Sequence, residues 1–88
     1  MNSEYIYRKI IHILNQYGID TSSVSHQASF SKDLGLDSLD FTELTMEVEV
    51  AFEVDIPFNE SEKVETVSDL ILLIDRLKNE QSFVTHPE

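Results

Sequence analysis

Three stretches of the chain place apolar residues at the spacing of a helix, and none alternates with period two for long enough to build a sheet. In the first, Ile6, Ile10, Ile13, Leu14 and Tyr17 follow one another at offsets of four, three, one and three, and Gly18 supplies a stop. In the second, Phe41, Leu44, Val48 and Phe52 share one narrow stripe, opened by Asp37 or Ser38 as N-cap and closed by Asp55-Ile56-Pro57. In the third, Thr66 is a good N-cap with Asp69 three residues on, ahead of Val67, Leu70, Ile71, Ile74 and Leu77. The pattern predicts an all-α domain: a small bundle of three main helices plus one short helix, with a long loop between the first and second helices. Its expected parts are a helix over 3–16, a loop over 17–36, helices over 37–53, 58–63 and 66–78, and a frayed tail over 79–88. Pro57 sits near the start of the short helix.

At 88 residues the chain has room for one core, and with no cysteine that core must hold the fold without disulfides. The longest uninterrupted apolar run, 70–74, is far too short to span a bilayer, and the N-terminus lacks a basic segment followed by an apolar one. The expectation is a monomer in the cytoplasm.

Charge is distributed unevenly. The formal net charge is −11. Residues 33–62 hold ten acids (Asp33, Asp37, Asp40, Glu43, Glu47, Glu49, Glu53, Asp55, Glu60, Glu62) and no base, whereas residues 1–32 are close to neutral. Nucleic acid and anionic membranes would repel this surface, so the expected partner is a basic protein surface.

Catalytic chemistry has little to work with. His12, His26 and His86 are not at ligand spacing from one another, and ordinary polar roles are expected for them. A hydrolase nucleophile elbow would need glycines where Leu36 and Asp40 flank Ser38. A calcium loop opening at Asp33 would need Gly at Ser38 and Glu at Leu44. No catalytic residue and no metal site is expected. What stands out is Asp33-Leu34-Gly35-Leu36-Asp37-Ser38-Leu39-Asp40, a serine between carboxylates where a loop becomes a helix. Two readings stay open on local grounds: Ser38 or Asp37 caps the helix, or the Ser38 hydroxyl is modified by another enzyme, its phosphate favoured by the helix N-terminus.

On the face of the second helix away from its buried stripe lie Leu39, Glu43, Met46 and Val50, flanked by Asp40 and Glu47. Scattered exposed apolar residues are common, but apolar anchors ringed by acids also fit a transient docking surface for a basic partner.

With these residues in view, Asp37-Ser38-Leu39-Asp40, preceded by Asp33-Leu34-Gly35 and followed by Glu43-Leu44 and Ile56-Pro57, resembles the acyl carrier protein family of the free-standing bacterial type. The likeness extends through Glu62-Lys63-Val64 and Thr66-Val67 to the last helix. It implies that Ser38 receives 4′-phosphopantetheine from coenzyme A, attached by a magnesium-dependent phosphopantetheinyl transferase, with Asp37 near the phosphate. It implies that acyl groups ride as thioesters on that arm, in fatty acid or related lipid or polyketide biosynthesis. Docking through Leu39, Asp40, Glu43, Met46, Glu47 and Val50 would meet basic patches on acyl-transferring, ketosynthase, reductase and dehydratase enzymes. Phe41, Leu44, Val48, Phe52, Ile56, Val64 and Ile74 are the implied lining of an acyl pocket. Val50-Ala51 and Phe58-Asn59 stand where the family usually has acids, and Phe41 where a small residue is common. The alternatives are a peptidyl or aminoacyl carrier, and an acidic interaction module without a prosthetic group.

Overall fold

In the computed structural model, residues 2–84 are described, and they form four helices: α1 Ser3–Gln16, α2 Ser38–Phe52, α3 Phe58–Ser61 and α4 Val67–Val84. Each long helix begins where the sequence offers a side-chain acceptor to the free N–H groups of a first turn. Asn2 Oδ1 accepts from the N–H groups of Glu4 and Tyr5 at the start of α1. At α4, Thr66 Oγ1 accepts from the Asp69 N–H while Asp69 Oδ2 accepts from the Thr66 N–H, a reciprocal box.

The core is shared among the helices and the long first loop. Ile6, Ile10, Ile13 and Leu14 from α1 meet Leu44, Val48 and Phe52 from α2 and Leu70, Ile74 and Leu77 from α4. Each wholly buried aliphatic side chain contributes about 1.5–3 kcal/mol. One member of the predicted α2 stripe, Phe41, is only half-buried, and Thr45, which the stripe did not include, joins the core beside it. Thr45 tolerates burial because its hydroxyl donates to the Thr42 carbonyl at 2.8 Å.

The first loop is held against the core. Ala28, Phe30 and Leu36 are buried. An antiparallel bridge pairs Ser29 with Thr66, and the backbone of Ala28 and Phe30 exchanges hydrogen bonds with Glu65 and Val67. The loop that leads to Ser38 is thereby tied to the start of α4.

The last helix corrects the expected boundaries. Rather than ending near 78 with a frayed tail over 79–88, α4 continues to Val84. Side chains from that extra stretch and the turn before it serve the end of α2. Lys78 Nζ donates to the Phe52 carbonyl at 3.0 Å, and the Gln81 side-chain amide accepts from the Asp55 N–H and donates to the Asp55 carbonyl at 2.8 and 2.7 Å. Residues 85–88 of the expected tail, with His86, lie outside the described residues. The short helix is also tighter than expected, four residues with Pro57 as its N-cap. Arg76 reaches it from α4 through a 2.9 Å ion pair with Glu60.

Candidate functional site

The junction of the first loop and α2 resolves which residue caps the helix. Asp37 is the N-cap: its Oδ1 accepts from the Asp40 N–H at 2.8 Å, and Asp40 Oδ2 accepts from the Asp37 N–H at 3.3 Å. Ser38 is therefore the first helical residue, and its capping duties are done by its neighbours. It is exposed, its backbone carbonyl accepts from the Thr42 hydroxyl at 2.9 Å, and its own Oγ has no hydrogen-bond partner among the described residues. Gly35, three residues upstream, takes φ 73, which a residue with Cβ rarely adopts, and this bends the chain into the helix start.

This arrangement suits a phosphodiester on Ser38. The Asp40 N–H is committed to Asp37 Oδ1 and the Phe41 N–H to the Asp37 carbonyl, leaving the N–H groups at the very tip of α2, on Ser38 and Leu39, as donors to an anion. The Asp37 carboxylate is fixed by its own cap bond beside that tip.

The expected docking residues come together on one exposed strip. Taking about 100° per residue, Leu39, Glu43, Met46 and Val50 fall within about 60° of arc. Leu39 is 66% exposed, Met46 58% and Val50 77%, with Glu43 and Glu47 exposed beside them. Met46 and Val50, with Glu47, Glu49, Val54 and Asp55, line a groove of about 440 Å³. Glu49 is not wholly available to a partner, since its Oε2 accepts from the Ile56 N–H at 2.8 Å and ties α2 to the following turn. Phe58, at the start of α3, adds a further exposed aromatic, 75% accessible.

Tyr17 is a residue the sequence pattern placed in the α1 stripe without a polar role. Its hydroxyl donates to the Glu43 carbonyl at 3.1 Å, fastening the end of α1 to α2 at a residue of the exposed strip. Burial, with smaller contributions from the charges of Glu47 and Glu43, holds the phenol above its ordinary range, so it stays a donor. Only the acid-rich face of α2 in its spatial setting signals this, because residues 17 and 43 are far apart in sequence.

The residues expected to line an acyl pocket gather in the interior. Leu44, Val48 and Ile74 are wholly buried, Phe52 and Ile56 nearly so, while Phe41 and Val64 are half-buried against them. His12 meets Gln16 at the surface, and His26 stacks on the Tyr7 ring at 4.3 Å, so both serve local packing. No group of three or more His, Cys, Asp or Glu among the described residues is arranged to hold a metal ion. No helix among them is long and apolar enough to cross a membrane.

Comparison with known proteins identifies the family. Residues 8–74 match the family described as phosphopantetheine attachment site. The whole fold superposes on the crystal structure of an acyl carrier protein from Thermotoga maritima with a TM-score of 0.82 and 31% sequence identity, over 91% of this chain and 94% of that one. Fold and match define a small carrier domain whose prosthetic group is 4′-phosphopantetheine. The chain belongs to the acyl carrier protein family, whose members carry substrates and do not themselves transform them.

Proposed function

We propose that Ser38 is the attachment point of the 4′-phosphopantetheine arm and that α2 presents the loaded arm to enzymes of fatty acid or related lipid or polyketide biosynthesis in the cytoplasm. The observation that carries this reading is the division of labour at the α2 N-terminus. Asp37 and Asp40 cap the helix reciprocally, so Ser38, which a cap would have engaged, keeps an exposed hydroxyl without a partner. The arm, when bound, supplies a terminal thiol that holds acyl groups as thioesters.

The chain's own residues then have distinct tasks. The N–H groups of Ser38 and Leu39 receive the phosphodiester. Asp37 marks the site for the phosphopantetheinyl transferase and its magnesium. Leu39, Met46 and Val50 give a partner an apolar footing, while Asp40, Glu43 and Glu47 draw basic surfaces to it, the charge acting on encounter rate more than on final affinity. Leu44, Val48, Phe52, Ile56, Val64 and Ile74, with Phe41, are what cargo would meet if the interior opened. The acid density of residues 33–62 supports acyl cargo over the peptidyl or aminoacyl alternative.

Incubating the protein with coenzyme A and a transferase should add one phosphopantetheine mass to the wild type and none to Ser38→Ala. An acidic interaction module without a prosthetic group predicts no mass gain in either.

A further inference from the structure

Phe41 is the first inward residue of α2 after Ser38. It lies about 60° around the helix from Ser38 and about 4.5 Å further along the axis, so a chain leaving Ser38 for the interior meets its ring first. That ring is half-buried and rests on Phe30, with centroids 5.3 Å apart and planes tilted by 51°. The separation is a favourable one for an aromatic pair.

Phe30 is not free to swing aside. It is 3% exposed, its N–H donates to the Glu65 carbonyl at 2.9 Å, and its carbonyl accepts from the Leu36 N–H at 2.9 Å. The Ser29–Thr66 bridge adjoins it. In the core against which Phe41 packs, Leu44, Val48 and Ile74 are at 0% exposure. Side chains packed this closely leave little room between them, and Phe41 is the half-exposed member of the pair.

We propose that Phe41, seated on Phe30, shuts the interior to cargo, so that this carrier takes acyl groups short or polar enough to ride outside the bundle. The proposal rests on attachment of the arm at Ser38. A long hydrocarbon held outside would stay hydrated, which disfavours it as cargo. The gate thereby sets the substrate class through a residue that need not touch the thioester.

The test loads wild type and Phe41→Ala with acetyl- and octanoyl-phosphopantetheine, using the corresponding coenzyme A thioesters and a transferase, with intact mass confirming each load. Melting temperature and amide exchange at Leu44, Val48 and Ile74 are then measured. Wild type should give the same values for both cargoes. Phe41→Ala should melt several degrees higher with octanoyl than with acetyl and should exchange more slowly, because the longer chain fills the opened space. Phe41→Val, which removes less volume, should show the same difference at smaller size if the alanine variant does not fold. The gate is overturned if octanoyl stabilises wild type as it does the variant, or if neither variant responds to chain length. Failure to load at all appears in the mass spectrum before melting and overturns the Ser38 reading instead, and the gate with it.

Discussion

Asp37 and Asp40 cap each other's backbone, Oδ1 of the first accepting from the N–H of the second at 2.8 Å and Oδ2 of the second accepting in return at 3.3 Å. Ser38, between them, is held in place while its hydroxyl is left uncommitted. On the proposed reading, stability and modification fall to different residues of one short motif. Asp37→Ala should cost about 0.5–2 kcal/mol, as loss of an N-cap does, while Ser38→Ala should change stability by less than about 0.5 kcal/mol. Urea unfolding of the two variants checks this, and a larger loss in Ser38→Ala would mean that the serine has a structural task.

Charge reversal on the docking strip should act on association. Glu43→Lys and Glu47→Lys are expected to slow the association of a basic partner several-fold at low salt, with little change in dissociation rate. The difference from wild type should shrink as salt rises. Stopped-flow or surface-based kinetics at several ionic strengths would show it, and binding indifferent to both salt and reversal would remove this face from the docking account.

At the other end of α2, Glu53 adopts φ 56, a left-handed conformation that is strained for a residue with Cβ. It also places a negative charge at a helix C-terminus, where the dipole disfavours it. Glu53→Gly is expected to stabilise the fold by about 0.5–1 kcal/mol through relief of both. Thermal and urea denaturation measure it, and a loss of stability would show that the glutamate has a compensating contact.

Asp69 governs part of the acid limb of stability. The backbone N–H of Glu65, and after it that of Thr66, hold its carboxyl below the ordinary carboxylate range against the opposing effect of burial. A carboxylate lowered in the folded state contributes stability that is present above its unfolded value, about 3.9, and is lost as pH falls through the folded one. Stability should accordingly decline below about pH 4, and Asp69→Asn should flatten that decline. Urea midpoints measured from pH 2 to 7 would show the expected difference, which is absent if the carboxylate is not the titrating group.

How much of this was readable in the sequence depends on whether a contact is local. The stripe through Ile6, Ile10, Ile13 and Leu14, the Thr66–Asp69 box and the exposed strip of Leu39, Met46 and Val50 all follow from residues within a few turns of one another. The choice between Asp37 and Ser38 as cap did not follow, since both are good N-cap types and only the closing contact from Asp40 decides it. The reach of α4 to Val84 was also hidden. Residues after 78 lack a clear apolar stripe, and their helix is joined to the rest by Gln81 binding both backbone groups of Asp55, 26 residues away. The Tyr17 bond to the Glu43 carbonyl spans the same separation. Phe41 belonged to the apolar stripe by spacing, but its half-exposed seat on Phe30 depends on how the first loop returns to the core.

The central claim is that Ser38 is the residue that carries the arm. Its most direct test is fragmentation mass spectrometry of the protein after reaction with coenzyme A and a phosphopantetheinyl transferase, locating the added mass along the chain. The account predicts one phosphopantetheine, on Ser38 and on no other serine. The added mass on a different residue, or none under conditions that modify a control carrier, would contradict it.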